Sequence, residues 1–232
     1  MKVLLISDVH SNIEALEGVL NDTSFDEVLF MGDVVDYGPN PIEVFDLLHD
    51  MKPEKVLGNH DAAASLRIDC RSSPAMHKAS IVTREKITWK LLPKKSLKLL
   101  GKAKRRLDID LDGLKVRALH GAPGDELYRY FTRDEAEGLD MGGADLIVVG
   151  HTHVAYEVKK GDVWVVNPGS VGMPADGDPR ASYAVLYTNR GKVTFHRVEY
   201  DIDKVLSKLH DLLSEDREVF EVLAEALRTA QR

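Results

Sequence analysis

Val3-Leu4-Leu5-Ile6-Ser7-Asp8-Val9-His10-Ser11-Asn12-Ile13-Glu14-Ala15-Leu16 joins a buried strand to a helix through a polar loop. Val3 to Ile6 is a short, continuous apolar run rich in branched residues, the pattern of a strand covered on both faces. Ser11 followed by Glu14 predicts a capping box, and Ile13, Leu16 and Leu20 then recur at helical spacing. Asp8 and His10 therefore fall in a strand-to-helix loop. The same form recurs downstream. Glu27 to Met31 predicts a strand, Gly32 to Pro39 a loop holding Asp33 and Asp36, and Asn40-Pro41 a helix cap and first turn ahead of Ile42, Phe45 and Leu48. A third strand, Lys55-Val56-Leu57, runs into Gly58-Asn59-His60-Asp61. Leu114 to Leu119 leads to His120-Gly121, and Asp145 to Val149 leads to Gly150-His151-Thr152-His153. The polar clusters all follow apolar segments, as expected where function sits at the carboxyl ends of strands in an α/β sheet.

Over residues 62–106 the pattern changes. Lysine-rich helical periodicity, punctuated by Pro74 and Pro93, predicts an inserted helical cap that begins at the rim of the third loop. Val163 to Val166, Tyr183 to Tyr187 and Val193 to Val198 predict further strands separated by Gly and Asn turns, so the second half is richer in β-structure. Over residues 201–232, Ile202, Val205, Leu206, Leu209 and Leu213 form one helical stripe and Val219, Phe220, Leu223 and Leu227 another. These helices cover the sheet or a second copy, which leaves a homo-oligomer open. A length of 232 residues suits one domain, 1–232.

Composition excludes several classes. A net charge of −7 argues against a general polyanion binder, so nucleic acid is an unlikely partner. No run approaches the roughly 20 apolar residues of a membrane span. Met1 to Ile6 carries one basic residue before acidic Asp8 and lacks a signal peptide's long apolar region, which predicts a cytoplasmic protein. Cys70 is the only cysteine, so any metal site must rest on nitrogen and oxygen.

One Asp-x-His pair after a strand is ordinarily a solvated loop. Five such clusters in order, each after a strand, are not ordinary. Carboxylate oxygens mixed with imidazoles suit borderline divalent ions, Mn foremost, with Fe, Ni, Co or Zn as alternatives. Two such ions roughly 3.5 to 4 Å apart can hold an attacking hydroxide and polarise a phosphate.

With Asp8-x-His10, Gly32-Asp33-x-x-Asp36, Gly58-Asn59-His60-Asp61, His120-Gly121 and Gly150-His151-Thr152-His153 in place, the sequence resembles the calcineurin-like metallophosphoesterases, most closely the small bacterial and archaeal members. Asn167-Pro168-Gly169-Ser170-Val171-Gly172 and Arg180-Ala181-Ser182-Tyr183 extend the likeness. The resemblance implies an α/β fold of four layers, a helix-sheet-sheet-helix (αββα) sandwich of two mixed β-sheets. It implies that Asp8, His10 and His153 hold one metal, that Asn59, His120 and His151 hold the other, and that Asp33 bridges them. His60 would be the catalytic acid, oriented by Asp36, in the hydrolysis of a small phosphoester. The protein serine/threonine phosphatase branch has a phosphate-clamping arginine where this chain has Tyr37. Its absence weakens the protein-phosphatase reading and tilts the expectation toward diesters.

Three residues stand as candidate substrate contacts: Tyr37, Arg180 as a substitute source of charge, and His77 in the cap. His49, His196 and His210 lack companion ligands and read as structural or exposed. The lysine run from Lys94 to Arg106 reads as a solvated helix face. Two rival functions remain: a metal-binding interaction module without turnover, which an intact His60 and Asp36 speak against, and a single-strand nuclease, disfavoured by charge and by the absence of an aromatic-lined basic surface.

Overall fold

The opening apolar run forms β1 (Lys2–Ile6) of the computed structural model, which describes residues 1–231. Strand side chains alternate, so Leu4 and Ile6 meet a helical layer while Val3 and Leu5 meet a second sheet. The chain continues through α1 (Ile13–Asp22), β2 (Glu27–Phe30), α2 (Pro41–Met51) and the short β3 (Glu54–Lys55). A helical insert follows: α3 (Asn59–Leu66), α4 (Pro74–Thr83), a π-helical turn over Arg84–Thr88, α5 (Trp89–Leu91) and α6 (Lys94–Leu100). Then come β4 (Arg106–Leu111), β5 (Leu114–Leu119), α7 (Arg133–Ala136), β6 (Leu146–Val148), β7 (Ala155–Lys160) and β8 (Val163–Pro168). β9 (Ala181–Tyr187), β10 (Lys192–Val198), α8 (Ile202–Leu212) and α9 (Arg217–Thr229) complete the chain. Residue 232, the end of the expected C-terminal segment, lies outside the described residues.

The strands form two five-stranded sheets, ordered β10-β9-β1-β2-β3 and β4-β5-β6-β8-β7. Each is mixed: β1, β2 and β3 run parallel, β9 runs antiparallel to β1 and β10 antiparallel to β9, and β5, β6 and β8 run parallel between antiparallel β4 and β7. The sheets face each other through Val3, Leu5, Leu29 and Met31 on one side and Val116, Ala118, Leu146, Val148 and Val166 on the other. Leu16, Val19, Val44 and Leu48 cover the outer face of the first sheet, and Phe131, Ala136 and Met141 that of the second. This is the four-layer sandwich that the resemblance implied. No helix among the described residues is long and apolar enough to cross a membrane.

The two C-terminal helices brace the insert. Val205, Leu209, Val219, Leu223 and Leu227 pack with Met76, Ala79 and Ile87 and with Tyr37 and Met173 of the sandwich. Lys78 with Glu218 and Lys86 with Asp216 add ion pairs at the edge. Each buried aliphatic side chain contributes about 1.5 to 3 kcal/mol, against about 0 to 1 for an exposed pair, so packing holds the insert down.

Several local readings need correction. Asn12, not Ser11, caps α1, its Oδ1 accepting from the Ala15 N–H at 3.1 Å. Ser11 cannot serve because it sits at φ +53° with its N–H committed to the Val34 carbonyl. Glu14 pairs instead with Lys208 of α8 at 2.6 Å. The helical stretch starts at Asn59 rather than 62 and closes at Leu100, before β4. β4 and β7 were not expected. Both are edge strands whose solvent-facing residues are charged and of low strand propensity, so they read as loop despite their alternation.

Gly58 marks one of the tightest contacts between loops. A Cβ there would stand 2.0 Å from Asp33 Oδ1 and 2.2 Å from its backbone nitrogen. Gly58→Ala should therefore drive the second and third polar loops apart and destabilise the fold by about 3 kcal/mol. Denaturant unfolding checks this; a loss under about 1 kcal/mol would show that the loops can yield.

Candidate metal centre

The loops after β1, β2, β3, β5 and β6 meet at one end of the sandwich. Backbone hydrogen bonds join the first two, from the amides of Asp8, His10 and Ser11 to the carbonyls of Gly32, Asp33 and Val34. To reach this geometry Asp8, His10, Ser11, Asp33, Asp36, Tyr37, His151 and His153 all take left-handed φ values between 46° and 68°. Each such residue costs on the order of 1 kcal/mol, a concentration of strain that persists only where the surroundings over-determine the backbone. Asn167 and Ser170 supply part of that constraint. Asn167 Nδ2 donates to the Gly150 carbonyl at 2.8 Å and Ser170 Oγ to that of Asp8 at 2.7 Å. They tie loops together instead of entering the cleft.

Two clusters of buried donor atoms result, Asp8 with His10 and His153, and Asp33 with His120 and His151, the atoms of each lying within 4.8 Å of one another. Asp33 Oδ2 stands between them, 3.8 Å from His10 Nε2 and 3.2 Å from His120 Nε2. Asn59 joins the second cluster: its Nδ2 donates to the Cys70 carbonyl at 2.7 Å, which turns Oδ1 toward His120 Nε2 at 2.8 Å. Asp61, given no role by sequence reasoning, accepts the amides of Asp33 and Val34 at 2.9 Å each and so props the central carboxylate.

The histidines share one device. His10 Nδ1 donates to Val35 O (2.9 Å), His120 Nδ1 to Met31 O (2.6 Å), His153 Nδ1 to Met173 O (2.6 Å) and His151 Nε2 to Tyr128 O (3.0 Å). A carbonyl only accepts, so the bonded nitrogen carries a hydrogen and the opposite one faces the cluster, an acceptor whenever the ring is neutral. His10 Nε2 and His153 Nε2 consequently face each other at 3.2 Å. Asp8 Oδ1 and Asp33 Oδ2 are buried without an aligned hydrogen-bond donor. Acceptors converging on acceptors, with buried carboxylate oxygens among them, fit a divalent cation.

The electrostatics agree. Burial holds His10 well below its ordinary value and lowers His151 to about 3, so both stay neutral and ready to ligate. Burial also opposes charge on His120, but the Asp33 carboxylate outweighs it and pushes the imidazole up to about 9. A cation bound beside Asp33 would compete with that proton. Burial works against the Asp8 carboxylate as well, yet His153 at 3.1 Å keeps it far below the usual range.

His60 belongs to neither cluster. Its Nδ1 donates to Asp36 Oδ2 at 2.9 Å, the dyad that the resemblance implied. Burial opposes its protonation, but Asp33 and Asp36 together raise its pKa. The cleft over the clusters encloses about 10 Å³, room for one water at most, and is lined by Tyr37, His60, Ser72, Ser73, Met76 and Tyr130 beside residues of the two clusters. Tyr37 lines the cleft, its buried ring 4.8 Å from those of both His10 and His60. Two expected substrate contacts do not. Arg180 is exposed and bound to Asp178 two residues away, at 2.7 Å from Nη2 to Oδ2. His77 is bound to Asp69 at 2.9 Å, one residue along α4 from Met76, which does line the cleft. Sequence reasoning missed Tyr130, whose ring stacks on His151 with centroids 4.2 Å apart. It sits in a loop with no motif around it.

Comparison with known proteins gives the family. Residues 1–191 match the calcineurin-like phosphoesterase superfamily domain. Over 228 aligned residues the chain is 32% identical to the uncharacterized protein MJ0912 of Methanocaldococcus jannaschii, covering 89% of this chain and 91% of that one. It is 27% identical to the phosphodiesterase YfcE of Escherichia coli K12, covering 80% and 87%. The crystal structure of a metallophosphoesterase from Sphaerobacter thermophilus superposes with a TM-score of 0.80 at 32% identity, covering 99% of this chain and all of that one. Five ligand-bearing loops on a four-layer sandwich, with this domain match, place the chain in the calcineurin-like phosphoesterase superfamily.

Proposed function

We propose that the protein hydrolyses small phosphoesters with two divalent metal ions, one held by Asp8, His10 and His153, the other by Asn59, His120 and His151, with Asp33 shared. The observation that carries this reading is the convergence of two carboxylate-imidazole clusters on Asp33, beside a His60–Asp36 dyad that belongs to neither. Bound divalent ions, manganese being the best match to the mixed donor set, would supply Lewis-acid polarisation of the phosphoryl oxygens and acidify the attacking water. His60 donates a proton to the leaving oxygen, and Asp36 holds its Nδ1–H so that Nε2 is the nitrogen on the cleft side. Asn59 and the four ligand histidines act only by being fixed in place before substrate arrives.

A diester is favoured over a monoester. Tyr37 occupies the position of a phosphate-clamping arginine and its buried ring is packed against His10 and His60, so no cation reaches the substrate from there. The relative named as a phosphodiesterase supports the same choice. The test is a metal-reconstituted screen against monoesters, diesters, dinucleoside polyphosphates and single-stranded DNA, repeated after chelation. Hydrolysis of a small diester should appear with manganese and vanish on chelation. Full turnover in metal-free protein, or no turnover of any ester in the loaded form, would end the proposal, the second outcome in favour of an interaction module.

A further inference from the structure

Besides carrying His60 itself, the insert reaches the Asp36 carboxylate through one short segment. Asp36 is fully buried, and three side chains converge on its carboxylate: His60 Nδ1 on Oδ2 at 2.9 Å, Arg84 Nη2 on Oδ2 at 2.5 Å, and Thr88 Oγ1 on Oδ1 at 3.0 Å. Arg84 and Thr88 are the first and last residues of the π-helical turn, a rare widened turn that tends to occur at functional sites. Thr83, just before it, accepts the Tyr37 amide at 3.0 Å. Residues 83–88 thus hold both Asp36 and Tyr37, two of the residues whose side chains flank His60.

Stability alone explains this poorly. Arg84 is 5% exposed, and its ion pair with Asp36 lies in the interior, where the cost of desolvating both charges offsets most of their attraction. An apolar pair would hold the insert as well. Nor does Arg84 line the cleft, so it is no substitute clamp for the substrate phosphate. What the guanidinium does is occupy one direction of approach to Oδ2 while Thr88 occupies Oδ1, so that the carboxylate has one orientation and offers one place to the His60 N–H.

Resting on the reading of His60 as the acid, we propose that Arg84, with Thr88, is a positioning residue for catalysis: it fixes Asp36 so that His60 is aimed at the leaving-group oxygen. No atom of Arg84 meets the substrate. Without it the Asp36 carboxylate can rotate, and His60 loses its fixed direction while the metal ligands keep theirs.

The test measures kcat on manganese-loaded protein for a series of phosphoesters whose leaving groups run from p-nitrophenol to a simple alcohol. An activated aryl ester needs little help from an acid, whereas an alkyl ester needs it fully. Arg84→Ala should lower kcat for the alkyl ester by about ten- to a hundredfold, part of the usual worth of a general acid, and by several-fold less for the p-nitrophenyl ester. KM and metal content should change little, and Arg84→Lys, which restores the charge without the fork, should recover part of the loss. A merely structural role would lower every ester by one factor, and that result would overturn the proposal. Should Arg84→Ala fail to fold, Thr88→Val keeps the ion pair and should show the same leaving-group dependence in weaker form; an unchanged dependence there would equally overturn it. His60→Ala run alongside separates the two ideas. If its losses are equal across the series, the acid assignment itself fails. If they are graded while those of Arg84→Ala and Thr88→Val are uniform, only the role of Arg84 fails.

Discussion

Replacing His60 by alanine should lower kcat on an ester with a poor leaving group by about 10² to 10⁴, with bound metal unchanged. The expectation follows from separation of duties within the site. His60 contributes no atom to either donor cluster, and its ring is held by Asp36 on the side away from the ligands. The backbone amide of His60, which donates to Asp33 Oδ1 at 2.9 Å, survives the substitution, so the shared carboxylate keeps its support. KM should change less than kcat, because an interaction made only in the transition state is lost. Steady-state kinetics with elemental analysis of the same sample decides it. Loss of an ion along with activity would make His60 a ligand and would require a different acid.

Asp33→Asn should have the larger consequence: both ions lost or greatly weakened, and turnover reduced by about 10³ or more, since the nucleophile and the electrophile both depend on them. The substitution preserves shape but removes the charge that Asp33 Oδ2 directs toward His10 and His120. It also removes the reason for the raised pKa of His120, which should revert toward neutrality and give up its proton more easily. His151→Ala, by contrast, takes a ligand from one cluster only. Metal titration of the two variants should therefore differ, with one ion retained in His151→Ala and none tightly held in Asp33→Asn. Two ions retained by Asp33→Asn would show that the carboxylate does not join the clusters.

How much of this the sequence disclosed depends on how local each constraint is. The candidate ligand residues were legible because the chemistry demands particular side chains and the fold puts them immediately after apolar runs; Asp8, His10, Asp33, Asn59, His120, His151 and His153 could be proposed without knowing any contact. The four-layer fold followed from the family likeness and from the β-rich second half. Edge strands β4 and β7 were hard to read because their solvent-facing residues, such as Asp108, Asp110 and Glu157, have low strand propensity and outweigh a short period of two. Arg180 and His77 misled for another reason. A cation near a motif invites a role in binding, but Asp178 and Asp69 stand nearby in sequence and take them up first. Arg84 and Tyr130 reach the site from segments with no signature, across distances along the chain that only the packing of the insert and the 121–132 loop decides.

The carbonyls of Val35, Met31, Met173 and Tyr128 that hold the ligand histidines carry one further consequence. In sites where a neighbouring aspartate or glutamine aims each imidazole, every aiming group is exposed to loss by a single codon change. Here the aiming groups are peptide units, which no substitution at those four positions deletes so long as the backbone path is kept. Val35, Met31 and Met173 are thus free to drift among apolar side chains of similar volume, and Tyr128 among residues its loop tolerates, while the imidazoles stay in register. Mutational damage to the centre should accordingly fall into two classes with little between them: replacement of a ligand itself, and distortion of a loop path such as that at Gly58.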